Sequence, residues 1–185
     1  MSGKIKICHI INAFENGGAE AVILNYISHM DRSRFEFHVI SHGVVSQACK
    51  NKFYDLGFIV HLIPSKKHPV KHVVEMYKIC KKEQFDILHI ATTEWAFIAG
   101  FVGMAAGCKH RINHSHMAEC PQGFLRKITF HIKVCLSKIS TNEHWACGMD
   151  AAKALFGSES VKNNEVQIFN NAVEFKKYSF DLDIR

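Results

Sequence analysis

The residues best placed to do chemistry fall into four groups. The first is Asn16-Gly17-Gly18, which ends a short turn and is followed by Ala19-Glu20 at the start of a helical pattern. Two glycines at a helix N-terminus let the backbone approach a ligand closely. Unpaired N–H groups and the positive end of the helix dipole then favour an anion such as a phosphate or diphosphate. A plain strand-to-helix turn explains the same residues equally well. The second group is Arg111-Ile112-Asn113-His114-Ser115-His116-Met117. Alternation puts His114 and His116 on one side of a strand end. There the two imidazoles can bond a sugar hydroxyl or a phosphate oxygen, and either can act as acid or base near neutrality. Half-buried histidines bonded to backbone are the competing explanation. The third is His89, near the end of the apolar run Asp86-Ile87-Leu88-His89-Ile90 and followed by Thr92, Thr93 and Glu94. It either lines the same cleft or sits in the core. The fourth is the basic amphipathic segment 124–138, in which Arg126, Lys127, Lys133 and Lys138 alternate with bulky apolar residues. Such a segment covers a sheet with its charged side in water, or rests on an anionic membrane.

Several chemistries are disfavoured. G-x-x-x-x-G-K-[ST] is absent, so no P-loop is expected. The turn lacks G-x-G-x-x-G, and the second strand ends in Ser41-His42-Gly43 without an acidic partner for a ribose, which argues against a dinucleotide enzyme. No histidine or cysteine set has zinc-ligand spacing, so no metal is expected.

These residues need a scaffold, and the chain supplies an alternating one. Short β-rich runs at 4–11, 34–41, 58–63, 86–90, 109–114, 143–147 and 165–169 alternate with helical runs at 19–30, 46–56, 70–84, 94–106, 124–140 and 149–156. Strands separated by helices of this length imply right-handed crossovers and a parallel sheet. The expected fold is α/β, a Rossmann-like three-layer domain with a mostly parallel sheet of about seven strands. Ligands of such sheets bind beyond the carboxyl ends of the strands, so the glycine turn and the histidine segment should share one edge.

Composition agrees with a single globular domain. The 185 residues are 48% hydrophobic and 22% charged, too apolar for a disordered chain. The net charge of +6 allows phosphate or anionic-membrane partners, and without an aromatic stacking motif it gives nucleic acid little support. Seven cysteines without C-x-x-C pairs read as small buried thiols in a reducing compartment. The longest apolar run, Trp95–Cys108, is too short to cross a bilayer and reads as a buried helix.

Four blocks carry a resemblance. Lys4–Asp31 resembles the opening of a glycosyltransferase family 4 enzyme of the GT-B fold, with its N-x-F-x-x-G-G-A-E loop. Asp86-Ile87-Leu88-His89 with His114-Ser115-His116-Met117 is similar to that family's D-I-V-H…H-S-H-N segment. His144–Gly157 resembles its A-C-S-E-x-A-A-x-x-L-F-G block, and Gln167–Tyr178 its I-x-N-A-I-D-x-x-x-F block. The resemblance implies sugar transfer from a nucleotide-sugar donor to a saccharide or lipid-linked acceptor. It implies donor-diphosphate contacts at Gly17 and Gly18, a catalytic-loop histidine at His116 with His114 as the fallback, and a domain-junction asparagine at Asn171. Asn16 and His89 join the expected substrate contacts. No metal or other cofactor is implied.

Met117 and Gly148 replace the family's usual Asn and Ser. Residues 1–173 are expected to be the N-terminal, acceptor-side domain and 174–185 an exit segment. The second, donor-binding domain lies outside the chain, and without it sugar transfer should be negligible. Glu75 and Glu83 match E-x7-E spacing by chance, within a Lys-rich helix. The expected location is cytoplasmic, peripheral on the inner face of a membrane. The alternatives are a non-catalytic acceptor- or membrane-binding subunit of a split transferase and, more weakly, a sugar-nucleotide epimerase.

Overall fold

The computed structural model describes residues 3–93, 95–116 and 121–171. Within them the chain runs β1 (Ile5–Ile10), α1 (Gly18–Ser28), β2 (Phe35–Ser41), α2 (Gln47–Asp55), β3 (Ile59–Leu62), α3 (Pro69–Glu83), β4 (Ile87–Ile90), α4 (Ala96–Ala106), β5 (His110–Ser115), α5 (Phe124–Ser140), β6 (Glu143–Ala146), α6 (Met149–Phe156), α7 (Ser158–Lys162) and β7 (Gln167–Ile168). The seven strands form one sheet in the order β3-β2-β1-β4-β5-β6-β7, and every neighbouring pair is parallel. Each expected strand and helix is present, within a few residues of its expected ends. The short α7 was not foreseen. Met117 and the 174–185 exit segment lie outside the described residues.

The strand order explains where the helices go. The first two crossovers step from β1 to β2 to β3, in one direction across the sheet. The later ones step from β3 back past β1 to β4 and onward in the other direction. Right-handed crossovers travelling in opposite directions place their helices on opposite faces. Accordingly α1 and α2 pack Ile23, Ile27, Cys49 and Phe53 against Ile7, Phe37 and Val39 on one face. On the other face Met76, Ala99 and Val102 of α3 and α4 pack against Cys8, Ile10, Leu88 and Ile90. A third cluster joins α5 and α6 to Ala146 of β6.

One expectation needs refining. Both faces of the sheet were expected to be covered. Among the described residues, the face carrying α1 and α2 has no helix over β4–β7. Ile87, Ile112, Trp145 and Phe169 instead floor an apolar groove of about 340 Å³ walled by Val22 and Tyr26 of α1.

The helix α4 is the apolar segment read from sequence, and small residues let it sit close to its neighbours. Its C-cap is Gly107 at φ 91°, a left-handed position that suits glycine. A Cβ on Gly103 would lie 2.6 Å from Leu88 Cδ2. One on Gly100 would strike the Ser140 hydroxyl and lie 2.8 Å from Ser140 Cβ and 3.1 Å from its carbonyl oxygen. Gly→Ala in a helix interior ordinarily stabilises by up to ~1 kcal/mol. Here the sign reverses: Gly100→Ala and Gly103→Ala should each destabilise by roughly 1–3 kcal/mol through overpacking. Urea titration followed by far-UV circular dichroism measures this.

The thiols follow the sequence reading in part. Cys8, Cys49, Cys80 and Cys108 are buried and free. Burial pushes Cys80 up to about 12 and Cys108 to about 11, so both are inert at neutral pH. Cys135 is exposed on α5 and Cys147 is half-buried, so neither is a core thiol.

Candidate functional site at the carboxyl edge of the sheet

The chain reverses direction across the sheet between β1 and β4, which makes their carboxyl ends the topological switch point. The glycine turn follows β1. His89 lies in β4, and His114 and His116 lie at and just beyond the end of β5. One strand separates β1 from β5, so the two segments stand roughly 10 Å apart along one edge.

The turn is pinned from below. Phe14 is fully buried against Phe53, and its N–H donates to the Gly43 carbonyl at 3.0 Å. Ser46 returns a 2.8 Å bond to the Phe14 carbonyl, and Cys49 Sγ donates to the Glu15 carbonyl at 3.0 Å. Asn16 reaches outward, its amide 3.4 Å from Ser46 Oγ. Gly17 is the N-cap of α1 and lacks a capping side chain. Glu20 takes over that task. Its carboxylate turns back to accept the Gly17 backbone N–H and its own. Burial raises its pKa, and those bonds partly oppose the rise. The amides of Gly18 and Ala19, in the first helical turn, remain without intrahelical acceptors. A Cβ on Gly17 would meet Glu20 Oε2 at 2.6 Å, whereas nothing lies within 4 Å of one on Gly18. Gly18→Ala should therefore leave the unfolding free energy within ~1 kcal/mol of the parent, and Gly17→Ala should displace the Glu20 carboxylate. Chemical denaturation of the two variants checks this.

The histidines form a row. His9 of β1 pairs in register with His89 of β4, Nδ1 to Nδ1 at 2.9 Å. His89 Nε2 meets His114 Nδ1 at 2.8 Å. The His114 ring lies 4.1 Å from that of His116, tilted by 36°. Trp145 and Phe169 flank His114. Burial pushes His9 and His114 down to about 3 and His116 to about 4, and drives His89 well below its ordinary value. All four are neutral at pH 7. Both ring nitrogens of His116 are buried and have no hydrogen-bond partner among the described residues. The imidazoles bond one another in a line instead of converging, and no cluster of three or more His, Cys, Asp or Glu among the described residues is arranged to hold a metal.

The structure brings together His89, His114 and His116, which the sequence singles out, and adds His9, which only the β1–β4 pairing brings in. It also missed a second group on the same edge. Lys66 Nζ donates to Asn12 Oδ1 at 2.7 Å and stands 5.6 Å from the Trp95 ring, beside His42. The loops after β1, β3 and β4 were the signal for it. Asn171 stands apart and exposed beyond β7. The residue before it is held by the Tyr26 hydroxyl, which donates to the Asn170 carbonyl at 2.7 Å, two turns along α1 from Gly18. Lys138 corrects the reading of α5. It turns inward to the Phe156 carbonyl at 3.0 Å and Ser160 Oγ at 2.7 Å, leaving Arg126 and Lys127 as the exposed cations and Lys133 half-buried.

Comparison with known proteins gives this edge a family context. The chain is 26% identical to the Bacillus subtilis protein named as glycosyltransferase EpsF, over 96% of this chain and 48% of that one. It is 26% identical to the capsular polysaccharide biosynthesis glycosyltransferase CapH of Staphylococcus aureus, over 60% of this chain and 30% of that one. The chain thus spans about half the length of EpsF and less of CapH. The solved structure of Anabaena HepE in complex with UDP and glucose superimposes with a TM-score of 0.75 at 15% identity, over 96% of this chain and 47% of that one, and so shares its fold. The sequence profile described as Glycosyltransferase Family 4 matches residues 16–132, from the glycine turn into α5. The chain belongs to glycosyltransferase family 4.

Proposed function

We propose that this chain is the acceptor-side half of a two-domain enzyme that moves a sugar from a nucleotide-sugar donor to a saccharide or lipid-linked acceptor. One observation carries the reading: His116, neutral and without a hydrogen-bond partner among the described residues, shares the switch-point edge with the N-terminus of α1 at Gly17 and Gly18. Residues 1–173 form this half, and 174–185 lead to a donor-binding domain. EpsF and CapH are named as glycosyltransferases, and HepE was solved with UDP and glucose. Those names support a nucleotide-sugar donor.

In this reading His116 contacts the donor sugar near the reacting carbon. Charge builds on the departing diphosphate as the glycosidic bond to it breaks. The fixed amides of the α1 N-terminus meet that charge without reorganising, so the reaction needs no metal or other cofactor. Lys66, Asn12 and Trp95 offer a cation, an amide and an aromatic face to the acceptor. Nucleoside diphosphate release tests the proposal. The complete protein should release it only when acceptor is present, and the 185-residue chain alone should release none. Robust release by the isolated chain would contradict the two-domain reading. In the complete protein, Gly18→Ala should lower kcat/KM by roughly tenfold, because the added methyl group holds the diphosphate off an amide that alanine retains, at the cost of about one good hydrogen bond.

The surface of α5 favours a second role at the cytoplasmic face of a membrane. No helix among the described residues is long and apolar enough to cross one. The 17 residues of α5 include no acid, and Phe124, Leu125, Ile128, Ile132 and Ile139 are exposed on the helix that also exposes Arg126 and Lys127. Apolar side chains flanked only by cations suit an anionic lipid surface. The chain should sediment with vesicles containing phosphatidylglycerol at 50 mM salt, and less at 500 mM, where screening shortens the reach of the cations. Equal binding to neutral vesicles would remove the electrostatic part of this reading.

A further inference from the structure

The helix α5 turns charge towards the protein and apolar side chains away from it. Arg126, Thr129, Phe130, Lys133, Val134 and Ser137 all line one cavity. Their spacing of three and four residues makes a single stripe along the helix. A helix that covers a sheet ordinarily keeps its inner stripe apolar and its cations in water. On α5 the exposed side holds Leu125, Ile128, Ile132 and Ile139, while Arg126 and Lys133 face the cavity.

The cavity holds about 460 Å³, within the range of small-molecule sites. Its other walls are Pro121, Leu155 of α6 and Thr93, which lies just past the end of β4. It therefore borders the carboxyl edge of the sheet, yet none of residues 12–20 lines it, so it is separate from the glycine turn. Lys133 is half-buried, and neither it nor Arg126 forms an ion pair among the described residues. No acid lines the cavity among those residues, and Glu94 and Glu119 lie outside them. A charge drawn partly out of water without a counter-charge is costly, and an anion entering the cavity relieves that cost.

The spacing of the two cations selects the anion. Arg126 and Lys133 stand about 10 Å apart along the helix axis. Two long side chains at that separation close on the ends of a diphosphate better than on a single phosphate. The guanidinium offers a bidentate fork, the ammonium a point charge and Thr93 a hydroxyl. We propose that this cavity seats the diphosphate of a lipid-linked acceptor. Such a molecule has a part for each side of α5: an anionic head for the inner stripe and a hydrocarbon chain for the outer one. Diphosphate binding stands on the cavity alone; that the diphosphate belongs to an acceptor rests on the proposed sugar transfer.

Titration of the 15N-labelled 185-residue chain with inorganic pyrophosphate tests the cavity. Amide signals of Thr93 and residues 126–137 should shift and saturate, and those of residues 12–20 report separately on the glycine turn. Arg126→Gln and Lys133→Gln should each weaken the binding roughly tenfold, the loss of one charge-assisted contact. Lys127→Gln removes a cation that does not line the cavity and should change it less than about twofold. Far-UV circular dichroism confirms that the variants fold. Shifts confined to residues 12–20, or Arg126→Gln and Lys133→Gln variants that bind like the parent, overturn the proposal. Orthophosphate should bind more weakly than pyrophosphate, and equal binding overturns the choice of a diphosphate. Phosphatidylcholine vesicles carrying a long-chain prenyl diphosphate identify the source. They should sediment more of the chain than vesicles given equal charge by phosphatidylglycerol, and Lys133→Gln should abolish the excess. Absence of that excess overturns the lipid-borne assignment and leaves a pocket for soluble diphosphates. A complete protein that transfers no sugar, while these titrations give the expected results, refutes the functional reading and not the pocket.

Discussion

Lowering the pH from 7 towards 4.5 is expected to unfold this domain. His9, His89 and His114 are at most 7% exposed, and burial holds all three neutral. Released into solvent, each would take up a proton near pH 6.5. The folded pKa values are depressed, His9 and His114 to about 3. Between pH ~6.5 and ~3 the unfolded chain therefore binds more protons, and stability falls as pH falls. Each group contributes a slope of about 1.4 kcal/mol per pH unit, so three give about 4. A domain of typical stability, roughly 5–15 kcal/mol, is exhausted within about one to four units. Glu36 adds to the loss at the acid end, because its bond to His38 holds its carboxyl below the ordinary range. Glu20 works the other way. Its raised carboxyl takes a proton sooner in the folded state and offsets a small part of the loss. Thermal unfolding followed by circular dichroism at pH 7, 6 and 5 should show a steep fall in midpoint, made shallower by His9→Phe. A midpoint unchanged between pH 7 and 5 would contradict the buried neutral row.

In the complete protein, His116→Ala should reduce sugar transfer by about 10²–10⁴-fold, the range for removing a positioned acid–base or substrate-contacting group. Stability should change little, because His116 makes no hydrogen bond among the described residues. His114→Gln should cost less, since a glutamine amide keeps a hydrogen-bonding group at that position. Steady-state release of nucleoside diphosphate measures both. An alanine variant at 116 that retains full activity would move the chemistry elsewhere on the edge.

Much of this architecture was legible before any coordinates. Runs such as Lys4–Ile11 and Asp86–Ile90, separated by helical periodicity, force a parallel sheet, and the glycine turn and histidine segment then fall on one edge. The helix Ser158–Lys162 escaped notice because five residues carry too little periodicity to register. His9 sits in an apolar strand and reads alone as core. Its partner 80 residues away appears only when β4 is placed beside β1. Lys138 looks like one more cation on a basic helix, and its inward turn depends on where α6 ends. The Glu20 carboxylate folding back onto Gly17 is a local event, invisible to pattern because Asp or Glu in a first helical turn is common anyway. The bare half of the α1 face follows from crossover handedness once the strand order is known, and the order is what sequence pattern does not state.

The proposed sugar transfer requires the carboxyl edge between β1 and β5 to form one wall of the substrate cleft. Hydrogen–deuterium exchange on the complete protein, with and without a nucleotide-sugar, tests it most directly. Slowed exchange should be concentrated at residues 12–20 and 114–116. Protection confined to α2, α3 or the amino edge of the sheet, with those two segments unchanged, would contradict it.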